Sequence, residues 1–446
     1  MKDALVGVLI ASGCAFKTDK YSHDILYDEK DREVVSNAID PSIKYDFMLK
    51  PEGYIIGIEK TRGIDDYKTK CSDESFSKNN SNICEAVSSH MPSPVYGKDT
   101  LLTHIVRFSQ NDPENSECIL FNAHSDIDKG VQSNAPACLG GRFNSEGNKF
   151  KYMEEGLNSL SILKRDIQTR IEKQPPTHIF FVSTGWNTSQ GESIKNYNDL
   201  FQNIKASADK NNQKFSPLVI GISWHSYIDN SLQGSVDFGG AQNDADEVGI
   251  FWAGPILHKV LEPIGEKYKI PVRLIGHSFG CRVVTQALAT NKLYKDSPIS
   301  SKPVLIGLQC AFSANRFLSK DTGKRSEDDS LENFSEISQK EFYTTSEHDL
   351  AVKKALVTYV GSSEFYNNSG EDKDFEKIIN RSFLTESGSY KPSLDCNPNK
   401  ISLINASNII IGRAPGTGEG GGAHSVVWGA KAGQLIWDLL GVCKGE

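Results

Sequence analysis

Ile270-Pro271-Val272-Arg273-Leu274-Ile275-Gly276-His277-Ser278-Phe279-Gly280-Cys281-Arg282-Val283-Val284-Thr285-Gln286-Ala287-Leu288-Ala289-Thr290-Asn291 is the stretch around which the rest of the chain is organised. Its first part, Pro271 to Ile275, is a short apolar run led by Pro and predicts a buried strand. Its last part sets Val284, Ala287 and Leu288 at helical spacing. Between them stands Gly276-His277-Ser278-Phe279-Gly280, a G-x-S-x-G pentapeptide. A strand that turns sharply into a helix holds its central residue in strained backbone geometry, so the residues two before and two after must lack bulk. The Ser hydroxyl then stands proud of the sheet, with the next backbone N–H and a helix N-terminus beneath it. An ordinary βα turn rich in small residues has the same composition, so the surroundings must decide.

Outward from this stretch, strands and helices alternate. Leu157 to Ile171 is apolar at helical positions and ends at Pro175-Pro176. Thr177 to Thr188 reads as a buried strand running into a turn that contains Gly185, and a helix follows from Ile194 to about Lys210. Pro217 to Trp224 is a further buried strand. Asp244 to Tyr268 includes a helix that Pro255 and Pro263 should kink or break. After the central stretch come apolar strands at Pro303–Cys310 and Glu341–Thr345, then a helical reading over Val352–Tyr359. Gly361 to Lys400 is polar and irregular. Ser407 to Ile411 reads as the last strand, followed by a Gly-rich loop and a closing helix from Ala423-His424-Ser425 to Leu440. Upstream, Leu101–Phe108 and Cys118–Ala123 form a hairpin signal around a turn sequence. The pattern predicts an α/β fold with a mostly parallel sheet covered by helices on both faces, over residues 101–446. Residues 15–100 read as an N-terminal extension, in which Ile55, Ile56 and Ile58 suggest one short strand.

Composition bounds the functional classes. With 446 residues and a net charge of −8, the chain can bury a large core but lacks the basic surplus of a nucleic-acid binder. No apolar run reaches the ~18 residues of a membrane span. At the N-terminus, Ala4 to Ile10 is apolar and Ala11-Ser12-Gly13-Cys14 follows. This resembles a bacterial lipoprotein signal, which implies acylation of Cys14 and attachment to the cell envelope; a plain first strand of a cytoplasmic protein is the other reading. Of nine cysteines, the eight besides Cys14 suit an oxidising compartment. Cys71 and Cys84 make the expected disulfide, whereas Cys281 and Cys310 fall in core elements and read as free buried thiols. No Cys/His spacing suits zinc. His124, Asp126 and Asp128 fail calcium-loop spacing, with Gly130 at the fifth place and Ala137 at the twelfth. The expectation is therefore no metal and no cofactor.

A nucleophilic Ser needs an imidazole to take its proton and a carboxylate to fix that imidazole. Downstream of Ser278 stand two histidines, His348 and His424. His424 lies in the loop before the last helix, and Asp349 lies just past a strand end. Asp349 in that place also suits a helix cap, and Glu347 is the substitute acid. Alternating βα units with G-x-S-x-G at the centre resemble the α/β-hydrolase superfamily, whose triad runs Ser, acid, His. The resemblance implies Ser278, Asp349 and His424 as the triad, and an oxyanion hole from the N–H groups of Phe279 and Trp186. Thr184 stands where relatives carry His. Within the superfamily, Ile222-Ser223-Trp224-His225-Ser226-Tyr227, Leu308 to Ser313, Tyr343 to Leu350 and His424-Ser425 are similar to a lipase-like bacterial branch, over roughly residues 177–441. The implied activity is ester hydrolysis on a small-molecule or lipid ester. An acyltransferase, or an envelope-anchored binding or scaffold protein retaining the fold, are the alternatives. Trp186, Trp224, Phe251 and Trp252 suggest an apolar acyl pocket.

Overall fold

A computed structural model describes residues 49–60, 74–79, 81, 84, 100–109, 117–122, 137–143, 151–186, 188, 190–224, 238–294, 302–319, 322, 331, 333–353, 358–386, 389–391, 393–412 and 422–443. Cys14, Cys71, the segment His124–Asp128 and His225–Tyr227 lie outside them.

Twelve strands form one sheet: β1 (Gly53–Lys60), β2 (Thr100–Phe108), β3 (Glu117–Asn122), β4 (Ala137–Phe143), β5 (His178–Ser183), β6 (Pro217–Trp224), β7 (Val272–His277), β8 (Val304–Leu308), β9 (Lys340–Thr345), β10 (Ile379–Leu384), β11 (Tyr390–Lys391) and β12 (Ile401–Asn405). Their order is β11-β10-β12-β9-β8-β7-β5-β6-β1-β2-β3-β4. The run from β1 through β6, β5, β7, β8, β9 and β12 to β10 is parallel throughout. β2 pairs antiparallel with β3, as the hairpin signal predicts, and also with β1. β1 lies inside the stretch read as an extension, yet it pairs with β6 in the heart of the sheet.

Burial on both faces explains the near-continuous apolar runs. Along β5, Ile179 and Phe181 join one core and Phe180 and Val182 the other. Each such side chain contributes about 1.5–3 kcal/mol when fully buried. The first core is covered by α1 (Lys151–Lys173), α3 (Phe238–Val248), α4 (Glu262–Tyr268) and α5 (Gly280–Ala289); the second by α2 (Gln190–Lys210) and α6 (Ala430–Val442). This mostly parallel sheet flanked by helices is compatible with an α/β-hydrolase-like fold.

Several expectations are corrected. Pro255 and Pro263 interrupt the regular α winding without ending the helix. The turns Gly249–Ala253 and Ile256–Leu261 widen to π winding, in which Gly254 N–H donates to Gly249 O and Glu262 N–H to Leu257 O, and Pro263 sits in the first turn of α4, where no N–H is needed. The last strand of the sheet is β12 at Ile401–Asn405, not Ser407–Ile411. The polar stretch 361–400 contains β10 and β11. After β9 the helix is Leu350–Lys353, and Tyr359 instead bridges to Ser313. Cys281 and Cys310 are not free thiols. They are joined, as are Cys118 with Cys138 and Cys396 with Cys443, and Cys84 is also disulfide-bonded.

On the α3–α5 side, Asp246 of α3 receives Arg282 of α5 and Arg316. Arg316 Nη1 and Nη2 donate to its two oxygens at 3.1 and 2.8 Å, Arg282 Nε donates at 3.1 Å, and Arg282 Nη2 donates too. Burial alone would raise this carboxyl; the two guanidinium groups outweigh it and hold the pKa at about 2. Removing the acid leaves two buried cations facing each other. We expect Asp246→Ala to lose about 3–5 kcal/mol of stability in urea denaturation at pH 7. Because the folded pKa lies below the unfolded one, the wild-type contribution is complete above about pH 4. It should be lost as pH falls through about 2.

Candidate active site

Ser278 adopts φ 55°, a left-handed conformation rare outside Gly. Such a residue costs on the order of 1–3 kcal/mol and persists only where its neighbours hold it. Here Ser278 N–H donates to Leu308 O (3.1 Å), and Ser278 O accepts from Cys281 N (3.1 Å) and Ala311 N (3.2 Å). The flanking glycines are required by space. A Cβ on Gly276 would lie 2.6 Å from Cys281 Cα, and one on Gly280 would lie 2.2 Å from Ser183 O. A strand-to-helix elbow is thus present at the pentapeptide, with Phe279 at the N-terminus of α5.

The carboxyl end of β5, next to β7, supplies the loop facing Ser278. A Cβ on Gly185 would meet Ser278 Cβ at 2.5 Å and Oγ at 3.1 Å, so glycine lets this loop approach the hydroxyl. Thr184 N–H donates to Tyr197 Oη (3.2 Å), Tyr197 O–H reaches Ile222 O (2.6 Å), and Trp224 Nε1–H donates to Thr184 O (3.0 Å). α2 and β6 therefore fix the loop that carries Trp186. Sequence reasoning missed Tyr197, which looks like an ordinary apolar position of an amphipathic helix. The Trp186 ring is half-buried, 6.4 Å from the Phe279 ring. Trp224, Phe251 and Trp252 are all buried in the core, and Trp252 Nε1–H donates to Thr100 O.

Asp349 and His424 are brought together from positions 75 apart in the chain. His424 Nδ1 donates to Asp349 Oδ2 at 2.7 Å. The approach depends on Gly422, whose φ of 57° suits glycine and whose added Cβ would lie 2.4 Å from His348 O; Ala423 N–H then donates to that same carbonyl at 2.9 Å. The Asp349 side chain is fully buried, and that of His424 is 13% exposed. Asp349 Oδ1 meanwhile accepts from Ala351 N (3.0 Å) and Val352 N (3.3 Å). The helix cap and the imidazole partner are thus one residue using its two oxygens. Burial pushes this carboxyl up, but His424 and the hydrogen bonds outweigh it and hold it below the usual range. Glu347 is exposed and paired with exposed His348, and the bond to His424 comes from Asp349 instead.

His277 links the elbow to His424. Its Nε2 donates to His424 O at 3.0 Å, the two rings lie 4.7 Å apart, and Trp428 packs edge-on against His277. Among the described residues no hydrogen bond joins Ser278 Oγ to His424; such bonds are commonly long before substrate binds. The same residues contain no group of three or more His, Cys, Asp or Glu suited to a metal.

No family model matches this chain, and no curated protein matches it. Among solved structures, the product of gene lin2722 from Listeria innocua overlaps 52% of this chain and 83% of its own, at 12% identity and a TM-score of 0.19. That overlap is too weak to bear on fold or function.

Burial first, and the neighbouring His424 second, lower the pKa of His277 to about 3. It should therefore remain neutral in a histidine NMR titration from pH 8 to 5. In the unfolded chain it charges near pH 6.5. Stability should therefore fall as pH drops from about 6.5 towards 3, and His277→Gln should flatten that part of the curve.

Proposed function

We propose that this protein is a serine hydrolase of the α/β-hydrolase superfamily, cleaving carboxylic esters through an acyl-enzyme. The observation that carries the reading is the Asp349–His424 bond beside a left-handed Ser278. The three residues follow one another in the order the superfamily uses. Ser278 Oγ attacks the ester carbonyl, and His424 Nε2 takes its proton. Because Nδ1–H is committed to Asp349 Oδ2, Nε2 is left as the basic nitrogen. The N–H groups of Phe279 and Trp186 hold the developing oxyanion, with the α5 N-terminus adding positive potential. His424 then returns the proton to the leaving alcohol, and water releases the acyl group by the same steps.

The test is labelling by a fluorophosphonate probe. Wild type should label with pseudo-first-order kinetics, Ser278→Ala should not label, and His424→Ala or Asp349→Asn should slow labelling by about 10³–10⁴-fold. A folded wild type that fails to label, or a Ser278→Ala variant that labels equally, overturns the reading and leaves a binding or scaffold role.

The disulfides support an oxidising compartment. Among the described residues no helix is long and apolar enough to cross a membrane. We propose attachment to a bacterial envelope through acylated Cys14. Palmitate incorporation should then be lost in Cys14→Ala, and its persistence would refute the anchor.

A further inference from the structure

We propose that Gln309 is a positioning residue for Asp349 and, through it, for His424. This rests on the serine hydrolase reading above. Gln309 is fully buried at the carboxyl end of β8, with φ 48°, in a backbone region that side chains other than Gly rarely adopt. A buried Gln must satisfy both ends of its amide. Nε2 donates to Asp349 Oδ2 at 2.8 Å, the same oxygen that receives His424 Nδ1–H. Oε1 accepts from Thr344 Oγ1 at 3.0 Å, while Thr344 Oγ1 accepts the Gln309 backbone N–H at 3.1 Å. The Thr344 hydroxyl has one proton, and Oε1 at 3.0 Å is a nearer acceptor for it than Gly307 O at 3.5 Å, so the amide oxygen turns towards Thr344. The N–H₂ end is thereby aimed at the carboxylate.

The backbone around Gln309 is held just as closely. A Cβ on Gly361 would lie 2.5 Å from Gln309 C and 2.8 Å from its Cα, so only glycine fits against it. Gly361 N–H donates to Cys310 O at 2.9 Å, and Cys310 is bonded to Cys281, three residues past the nucleophile. Leu308 and Ala311, on either side, hold the Ser278 backbone. One short segment thus supports the nucleophile through its main chain and the acid through one side chain.

The predicted consequence is kinetic and has a sign. Without the Gln309 donor, Asp349 directs more of its negative charge to His424, whose proton affinity rises, and the acid limb of the rate profile moves to higher pH. Titratable groups near the pair are His277, which touches His424, and exposed Glu347 and His348. Second-order rates of fluorophosphonate labelling are measured from pH 5 to 9 for wild type, Gln309→Leu and Gln309→Glu, each also in an Asp349→Asn background. We expect Gln309→Leu to label about 10–100-fold more slowly at neutral pH, with its acid limb displaced upwards. Gln309→Glu, which exchanges the donor for a second carboxylate, should do the same. In Asp349→Asn the Gln309 substitutions should add no further loss. A folded Gln309→Leu with the wild-type rate and limb overturns the inference, as does an equal loss in the Asp349→Asn background. Should Gln309→Leu fail to fold, Thr344→Val decides. It releases the amide's orientation, so an upward limb supports the role and an unmoved limb refutes it. Wild type labelling independently of Ser278 would instead remove the hydrolase reading, an outcome distinct from wild-type labelling with silent Gln309 variants.

Discussion

The left-handed backbone at Ser278 is the constraint on which the site depends. A side chain at φ 55° is unfavourable by itself, and three hydrogen bonds to neighbouring main chain hold it there. Two of them come from Leu308 and Ala311, so the conformation exists only once β8 has paired with β7. The absence of bulk at Gly276 and Gly280 is the other half of the same constraint, because α5 must start directly against the ends of β5 and β7.

Sheet order explains why these groups meet. β5 lies between β6 and β7, so the chain leaves β5 towards one side and later returns on the other. Such a reversal opens a crevice at the carboxyl ends of parallel strands. Gly185 follows β5, Ser278 follows β7, Gln309 follows β8, Asp349 follows β9 and His424 follows β12. Five loops therefore converge on one edge of a rigid, doubly covered sheet.

The sequence was legible where the determinant is local. The elbow, β5 to β9 and the hairpin could be read because apolar runs and small residues act within a few positions. The last strand falls at β12 and not at Ser407–Ile411: Ile401-Ser402-Leu403-Ile404-Asn405 carries polar residues inside a buried strand, while the continuous apolar run Ile409-Ile410-Ile411 ends with Ile411 42% exposed. β10 was missed for its broken alternation, the mark of a strand near the sheet margin. The Cys281–Cys310 bond was illegible because core thiols and core disulfides share one composition, and only the pairing of β7 with β8 brings them within reach. Gln309 left one faint trace, a polar residue interrupting the apolar run from Val304 to Phe312.

The position of β1 carries a consequence for how the molecule is made. Gly53 to Ile58 pair with Val219 to Trp224, partners more than 160 residues later in the chain. Until β6 has emerged, the β1 margin that will face it presents unpaired main-chain groups beside Tyr54, Ile55 and Ile56, all destined for full burial. A long-range parallel closure of this kind is slow and exposes a sticky edge while it waits. During synthesis the first half of the chain therefore carries an edge open to pairing with other copies, and assembly of the sheet centre is ordered by arrival of the second half.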